Sequence, residues 1–363
     1  QLSGLQRFRY RKARARLKGA AMKRMPNRQV GLTLVELLVA TTLSLVLLSG
    51  VLLVFSANKT TYKMQTGLGT LQENGRYAMR QITSDLQLAG FGGCLSPHIG
   101  PRVVTLATGP SGYLDYLKKF SEGEFFDGRN DETGTHTYGG RAMLTGTDSI
   151  EIRGPLRSAV SYVTKETFPG DPIEVVGTDR GFAVDEYLVI ADCAGADIFR
   201  ATAVDDSSGN TEIGHGSSGN TQDALSRKYG ADAVVMEFAT HTYFVGNTGR
   251  VNSSGNAIGA LYRFDGNNSE ELVDGVENLQ VEYALDTDGN GVIDAFRDPG
   301  GVTDWDEVMA VRLSLLMDSV DAASAVEAPY KFLSSTVAID PPDGDLRLRQ
   351  EFSALVSVRN SVL

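Results

Sequence analysis

One stretch limits what this chain can become. Residues 31–55, GLTLVELLVATTLSLVLLSGVLLVF, are apolar apart from a few hydroxyls and a single formal charge, Glu36. At ~1.5 Å per helical residue the stretch is long enough to cross a ~30 Å hydrocarbon core. A carboxylate inside such a span costs roughly 2.5–3.5 kcal/mol even on lenient insertion scales, so it calls for a partner. Residues 1–30 hold ten Lys or Arg and no acid. The positive-inside rule keeps that end in the cytoplasm and sends the C-terminal side across. The same run has the composition of a nucleic-acid or anionic-lipid patch, but its place directly before an apolar span favours a topology signal. A cleavable secretory signal is disfavoured, because the apolar run is too long and no A-x-A site follows.

Beyond Phe55 no Pro or Gly cluster interrupts the chain until Gly90. Met64, Leu68, Leu71, Gly75, Ala78, Ile82, Leu86 and Ala89 recur at spacings of three and four, the mark of a helix with one apolar stripe. Residues 32–92 are therefore expected to form one long helix, membrane-spanning to about residue 55 and amphipathic after it. Gly67, Gly69 and Gly75 each weaken it by roughly 1 kcal/mol relative to Ala and suit local melting or close helix packing. Setting aside the basic segment, cleaved on this reading, makes the chain's net charge of −11 ten units more negative. So acidic an exported domain is a poor general binder of nucleic acid.

Residues 93–363 suffice for one large or two small cores, and forty glycines with 8% aromatics favour turns and β structure. Strand patterns fall at 149–153, 159–164, 173–176, 187–191, 198–204, 233–245, 260–264, 279–285, 308–317 and 352–359, which predicts a mainly antiparallel sheet. Residues 97–141 read as a long loop region with a short strand at 103–107 and a helical turn around 113–120. Residues 205–220 and 246–259 read as polar loops and candidate contact surfaces. The two cysteines, Cys94 and Cys193, both fall on the exported side, where an even pair is most simply a disulfide. It would tie the helix end to the sheet.

The segment DTDGNGVID places Asp286, Asp288 and Asn290 at positions 1, 3 and 5 of an EF-hand-like loop. Gly291 falls at the sharp turn, the Val292 carbonyl at 7 and Asp294 at 9. Hard oxygens at alternate positions suit Ca²⁺. Position 12 is Arg297 where a bidentate carboxylate belongs, and the flanks read as strands; Asp298, Asp304, Asp306 or Glu307 would have to supply the missing oxygen. A Ca²⁺ site and an ion-free hairpin turn both remain open, and no other cofactor is expected. Nor is an enzyme: His98, His136, His215 and His241 are scattered, and HExxH, G-x-S-x-G and P-loop patterns are absent. Ser56 and Lys59 form an S-x-x-K without its companion motifs.

The order Gly31, Leu32, Thr33, Leu34, Val35, Glu36 resembles the type IV prepilin signal, with Leu32 where most such proteins have Phe. That resemblance implies cleavage after Gly31 by a prepilin peptidase, methylation of the Leu32 amine, and pairing of that cation with Glu36 of a neighbouring subunit during assembly. The leader would then be residues 1–31, with Met22 as a candidate start. Three further stretches are similar to the PilW family of type IV pilus minor pilins: LQENGRYAMRQITSDLQLAGFGGCL (71–95), LVDGVENLQVEYALDTDGNGVID (272–294) followed by Trp305 and VMAVRLSLL, and RLRQEFSALVSVRN (347–360). The likeness implies a type IV pilin-like α+β fold, with the long helix packed on a β-rich domain over 93–363, and the Cys94–Cys193 pairing.

It also implies a single-pass inner-membrane protein with a periplasmic domain that ends at the pilus tip or cell surface. Its partners would be other minor pilins, the major pilin, the inner-membrane assembly platform and a tip adhesin, and its role would be to prime filament assembly. Two alternatives stand beside this expectation: a minor pseudopilin of a type II secretion system, and an unprocessed membrane-anchored calcium-binding surface or periplasmic protein.

Overall fold

A computed structural model describes residues 31–94, 103–130, 133, 136–156, 160–333 and 335–358. The basic segment with Met22, and His98, lie outside these residues. The described chain separates into two units within Gln1–Ser56 and Ala57–Leu363. Helix α1, Leu34–Leu88, runs for 55 residues without a break.

Within the second unit, α1 buries Leu71, Gly75, Ala78, Met79, Ile82, Asp85 and Leu86, which is the three-and-four spacing of one helix face. The stripe begins later than its apolar pattern suggests, for Met64 is 43% exposed. Two of the three glycines in the second half of α1 are close-approach points on the domain itself. A Cβ at Gly75 would lie 2.3 Å from the Phe352 ring and one at Gly67 2.7 Å from Ala323, whereas Gly69 faces open space. The helix ends at Leu88, and Gly90 follows at φ 66°, a left-handed geometry that suits glycine.

The rest of the domain is mostly antiparallel sheet. A five-stranded sheet runs in the order Ser269–Asp274, Ala257–Phe264, Ala239–Val251, Ser149–Gly154, Phe126–Arg129. A four-stranded one runs Ala295–Arg297, Val276–Leu285, Val308–Asp318, Arg349–Ser357. Their alternating inward residues, among them Ile150, Ile152, Val245, Leu279, Val281, Val311 and Leu313, share one core with Ala78, Ile82 and Leu86 of α1. A second five-stranded sheet is ordered Val103–Thr105, Gly195–Arg200, Tyr187–Asp192, Val234–Glu237, Val160–Tyr162. Its first pair is parallel. With the three-stranded sheet Ala203–Asp205, Thr211–Gly214, Ile173–Val175 it encloses a separate core around Ile190, Phe199, Ile213 and Val235.

Several expectations are corrected here. The stretch 233–245 is two strands in two different sheets, divided at Phe238; continuous apolar residues conceal such a switch because both sides of it are buried. The stretch 198–204 likewise splits, after Arg200. The polar run 205–220 contains the strand Thr211–Gly214, held by the fully buried Ile213. Residues 246–259 are mostly the two arms of a hairpin, with Val251 paired to Ala257 across its end. In the loop region 97–141 the expected strand is found as Val103–Thr105 and the expected helical turn as α2, Ser111–Ser121, and the strand Phe126–Arg129 is added to them. That strand shows one apolar residue, so its pairing with Ser149–Gly154 leaves no alternation to read. The last strand spans Arg349–Ser357; Arg359 lies outside the described residues.

Candidate assembly site

Glu36 lies in the first turn of α1, where its own chain supplies partners. Its Oε2 accepts from the Thr33 backbone N–H at 3.2 Å and from the Thr33 hydroxyl at 3.1 Å, while Thr33 Oγ1 accepts from the Glu36 N–H at 3.2 Å. This reciprocal T-x-x-E arrangement is a capping box, satisfying N–H groups that a helix start leaves free. It also sets a negative group at the positive end of the helix dipole. Farther along, the hydroxyls of Thr41, Thr42 and Ser49 donate to carbonyls one turn back at 2.8–3.0 Å, so they need no water.

Leu32 is 77% exposed, and Leu34, Leu47 and Leu53 are comparably bare. Among the described residues α1 is the one helix long and apolar enough to cross a membrane. Lipid, or a bundle of like helices, is the environment that suits such a surface.

The amphipathic half of α1 is locked to the domain at its polar point as well as its apolar ones. Asp85, buried between Ile82 and Leu86, accepts from the Tyr243 hydroxyl at 2.6 Å and faces His241 Nδ1 at 2.6 Å. Burial, then the Asp85 charge beside it, raises the Tyr243 pKa, so the hydroxyl stays a donor. An acid on the apolar stripe of a helix was the one signal of this contact. Its partners lie more than 150 residues away in sequence, and nothing near them points back. Below the helix end Cys94 is bonded to Cys193, with Cα atoms 4.8 Å apart. Cys193 lies in the turn between Tyr187–Asp192 and Gly195–Arg200, where Asp192 Oδ1 accepts the Ala194 and Gly195 N–H groups.

The acidic loop is the turn of a hairpin, closed by Leu285 pairing with Ala295. One ligand atom from each of Asp286, Asp288 and Asp294 can be chosen so that all lie within 4.8 Å of one another. Gly289 and Gly291 take left-handed φ values of 71° and 81°, which permits the tight wrap. Asp286 accepts from the Gly291 N–H at 2.7 Å and the Asn290 N–H at 3.1 Å, and the first of these contacts leads in holding its carboxyl below the usual range. Asn290 Oδ1 accepts from the Val292 N–H at 2.8 Å. The donor set is hard oxygen and fits Ca²⁺ in kind. The site stops short at position 12: Arg297 lies there, while Asp298 and Asp304 cap short turns by accepting from Gly301 and Asp306 N–H groups.

Residues 242–360 match the family model PilW, described as type IV pilus-assembly protein W. Over this region, about a third of its length, the chain is similar to the PilW family. No curated protein matches it. The PilW region takes in the four-stranded sheet that shares its core with α1, the acidic loop and most of the strand bearing Tyr243. Glu36 and both cysteines lie outside it. The family's role is type IV pilus assembly.

Proposed function

We propose that this PilW-family chain acts as a minor pilin. On this reading a prepilin peptidase cuts after Gly31, the new Leu32 amine is methylated, and the ammonium pairs with Glu36 of an adjacent subunit. The observation that carries the reading is the single carboxylate of the exposed apolar stretch 31–55, five residues after Gly31, joined in one chain to a region similar to a pilus-assembly family. Two charges that neutralise each other only in register make an assembly device. The chain would meet other minor pilins and the major pilin on the inner-membrane platform, prime the filament there and travel to or near its tip, with a tip adhesin as a further partner. The Asp286, Asp288, Asn290, Val292, Asp294 loop would hold a weakly bound Ca²⁺ that steadies the hairpin on the exported side.

The N-terminal peptide of envelope-derived protein, read by mass spectrometry with and without the peptidase, tests this directly. The expected peptide begins at methylated Leu32 and disappears without the peptidase. An intact span carrying the basic leader would refute processing. Deletion should abolish surface pili and leave exoprotein secretion intact; the reverse would assign the chain to a type II secretion system.

A further inference from the structure

The geometry points to a binding site for an uncharged saccharide in the cavity between α2 and the edge of the first five-stranded sheet. The cavity measures about 520 Å³, within the ~300–1,000 Å³ of small-molecule sites. Tyr116 and Lys119 come to it from α2, Asp127 from the edge strand, Glu151 from the strand beside it, Tyr138 from a short hairpin and Phe264 from the strand Ala257–Phe264. None of these residues takes part in the assembly site or the acidic loop.

Charge narrows the ligand class. Asp127 pairs with Lys119 Nζ at 2.9 Å and with Arg153 Nη2 at 3.4 Å, and Glu151 pairs with the same guanidinium. Arg153 is fully buried, and its Nη1 donates to the Glu124 and Phe126 carbonyls at 2.8 and 3.1 Å. A charged ligand would have to break pairs held in a partly desolvated place. A purely apolar one would strip water from carboxylates, an ammonium and phenols and offer nothing back.

A neutral polyol does neither. Its hydroxyls can donate to Asp127 and Glu151 and accept from Lys119 and the tyrosines while the ion pairs stay intact. Burial, then the negative charge of Glu151, pushes the Tyr116 hydroxyl up to about 12, so it remains a donor. The Tyr138 hydroxyl shares a hydrogen bond of 3.0 Å with Ser149 Oγ. Carbon matters too: the Tyr138 ring lies 5.6 Å from Phe264 and 4.5 Å from His136, centroid to centroid. The Tyr138 ring is buried among these neighbours, and the partly exposed Phe264 ring offers the electron-rich face that attracts the C–H edge of a pyranose. Rings, planar carboxylates and compensated charge together form the chemistry that selects a neutral sugar.

The test uses the full chain in a detergent without a sugar head group, because glycosidic detergents would compete. Saturation-transfer NMR is run with millimolar glucose, galactose, N-acetylglucosamine, N-acetylgalactosamine, lactose and maltose, and with glucosamine and sialic acid as charged comparators. At least one neutral sugar should show transfer that exceeds both charged ones. Tyr116→Phe and Tyr138→Phe keep every ion pair and should each weaken binding about five-fold, the worth of one hydrogen bond. Glu151→Gln should weaken it further. Near-UV circular dichroism confirms that each variant is folded. No transfer from any neutral sugar, equal transfer from the charged ones, or full binding in both Tyr→Phe variants would overturn the assignment.

Discussion

Gly75→Ala isolates how closely α1 is seated on the sheet. A Cβ at this position would lie 2.3 to 2.6 Å from three ring carbons of Phe352, where carbon atoms normally rest ~3.5–4.0 Å apart. The ring must turn or the helix must lift by about 1 Å, an overpacking cost of ~1–3 kcal/mol. Helix propensity pulls the other way by ~1 kcal/mol, so the variant should lose between nothing and about 2 kcal/mol. Gly69→Ala supplies the control. A Cβ there meets no atom within 4 Å, and the variant should gain up to ~1 kcal/mol. Propensity cancels between the two, so their difference reads the packing cost alone.

Urea unfolding of the detergent-solubilised chain can be followed through Trp305, the single tryptophan, whose ring meets Tyr283 edge-on at 4.9 Å. Equal midpoints for the two alanine variants would refute the seating argument. Phe352→Leu in the Gly75→Ala background should recover most of the loss.

Replacing Cys94 and Cys193 together by Ser opens a closure between residues 99 apart. It should cost at most ~4–5 kcal/mol, read as a lower urea midpoint that reductant reproduces in the parent; a midpoint unmoved by either would mean the bond does not constrain the unfolded chain. Asp318 is pushed up to about 6, first by burial and then by Glu277 beside it, so the folded state binds its proton more tightly than the unfolded one. This group's contribution is full below pH ~4 and is lost as pH rises to ~6, on the order of 2–3 kcal/mol. Asp318→Asn should flatten the stability profile across that window, and a profile identical to the parent's would contradict the shift. Calorimetry on the chain should show weak Ca²⁺ heat that Asp288→Ala removes; no heat, or heat indifferent to the substitution, would sink the calcium reading.

What was legible in the sequence follows from how far each signal travels along the chain. α1 was legible because an unbroken apolar run over 31–55 and a three-and-four spacing after it are local properties of the chain, whereas the capping contact between Thr33 and Glu36 was not read from it. The strands expected at 279–285 and 308–317 were found, as Val276–Leu285 and Val308–Asp318, for the same reason, their pattern being internal to each. Phe126–Arg129 and Thr211–Gly214 were not, because each is held by pairing and one buried apolar side chain rather than by an apolar pattern. Asp85 with His241 and Tyr243, and the cavity assembled from five separate segments, are properties of tertiary placement that no window of sequence contains. Gly75 looked like a weak point in a helix and is the place where a phenyl ring reaches its backbone.

The capping box changes the energetics expected of Glu36. Were the carboxylate bare in the apolar span, its whole insertion cost would press for a partner. Thr33 already gives Oε2 two donors, so part of that cost is offset within the single chain. A neighbouring ammonium would then act as a third donor or displace Thr33, and the gain on association is the difference between a charge-assisted pair and a capping contact, not the full price of a buried anion. On the proposed reading a difference of that size would let the chain wait in the membrane without collapsing into wrong pairs. On the proposed reading register would be the deciding variable: a helix displaced by one turn would keep its own cap and gain nothing, whereas one aligned on Glu36 would gain a charge pair that hydrocarbon leaves unscreened.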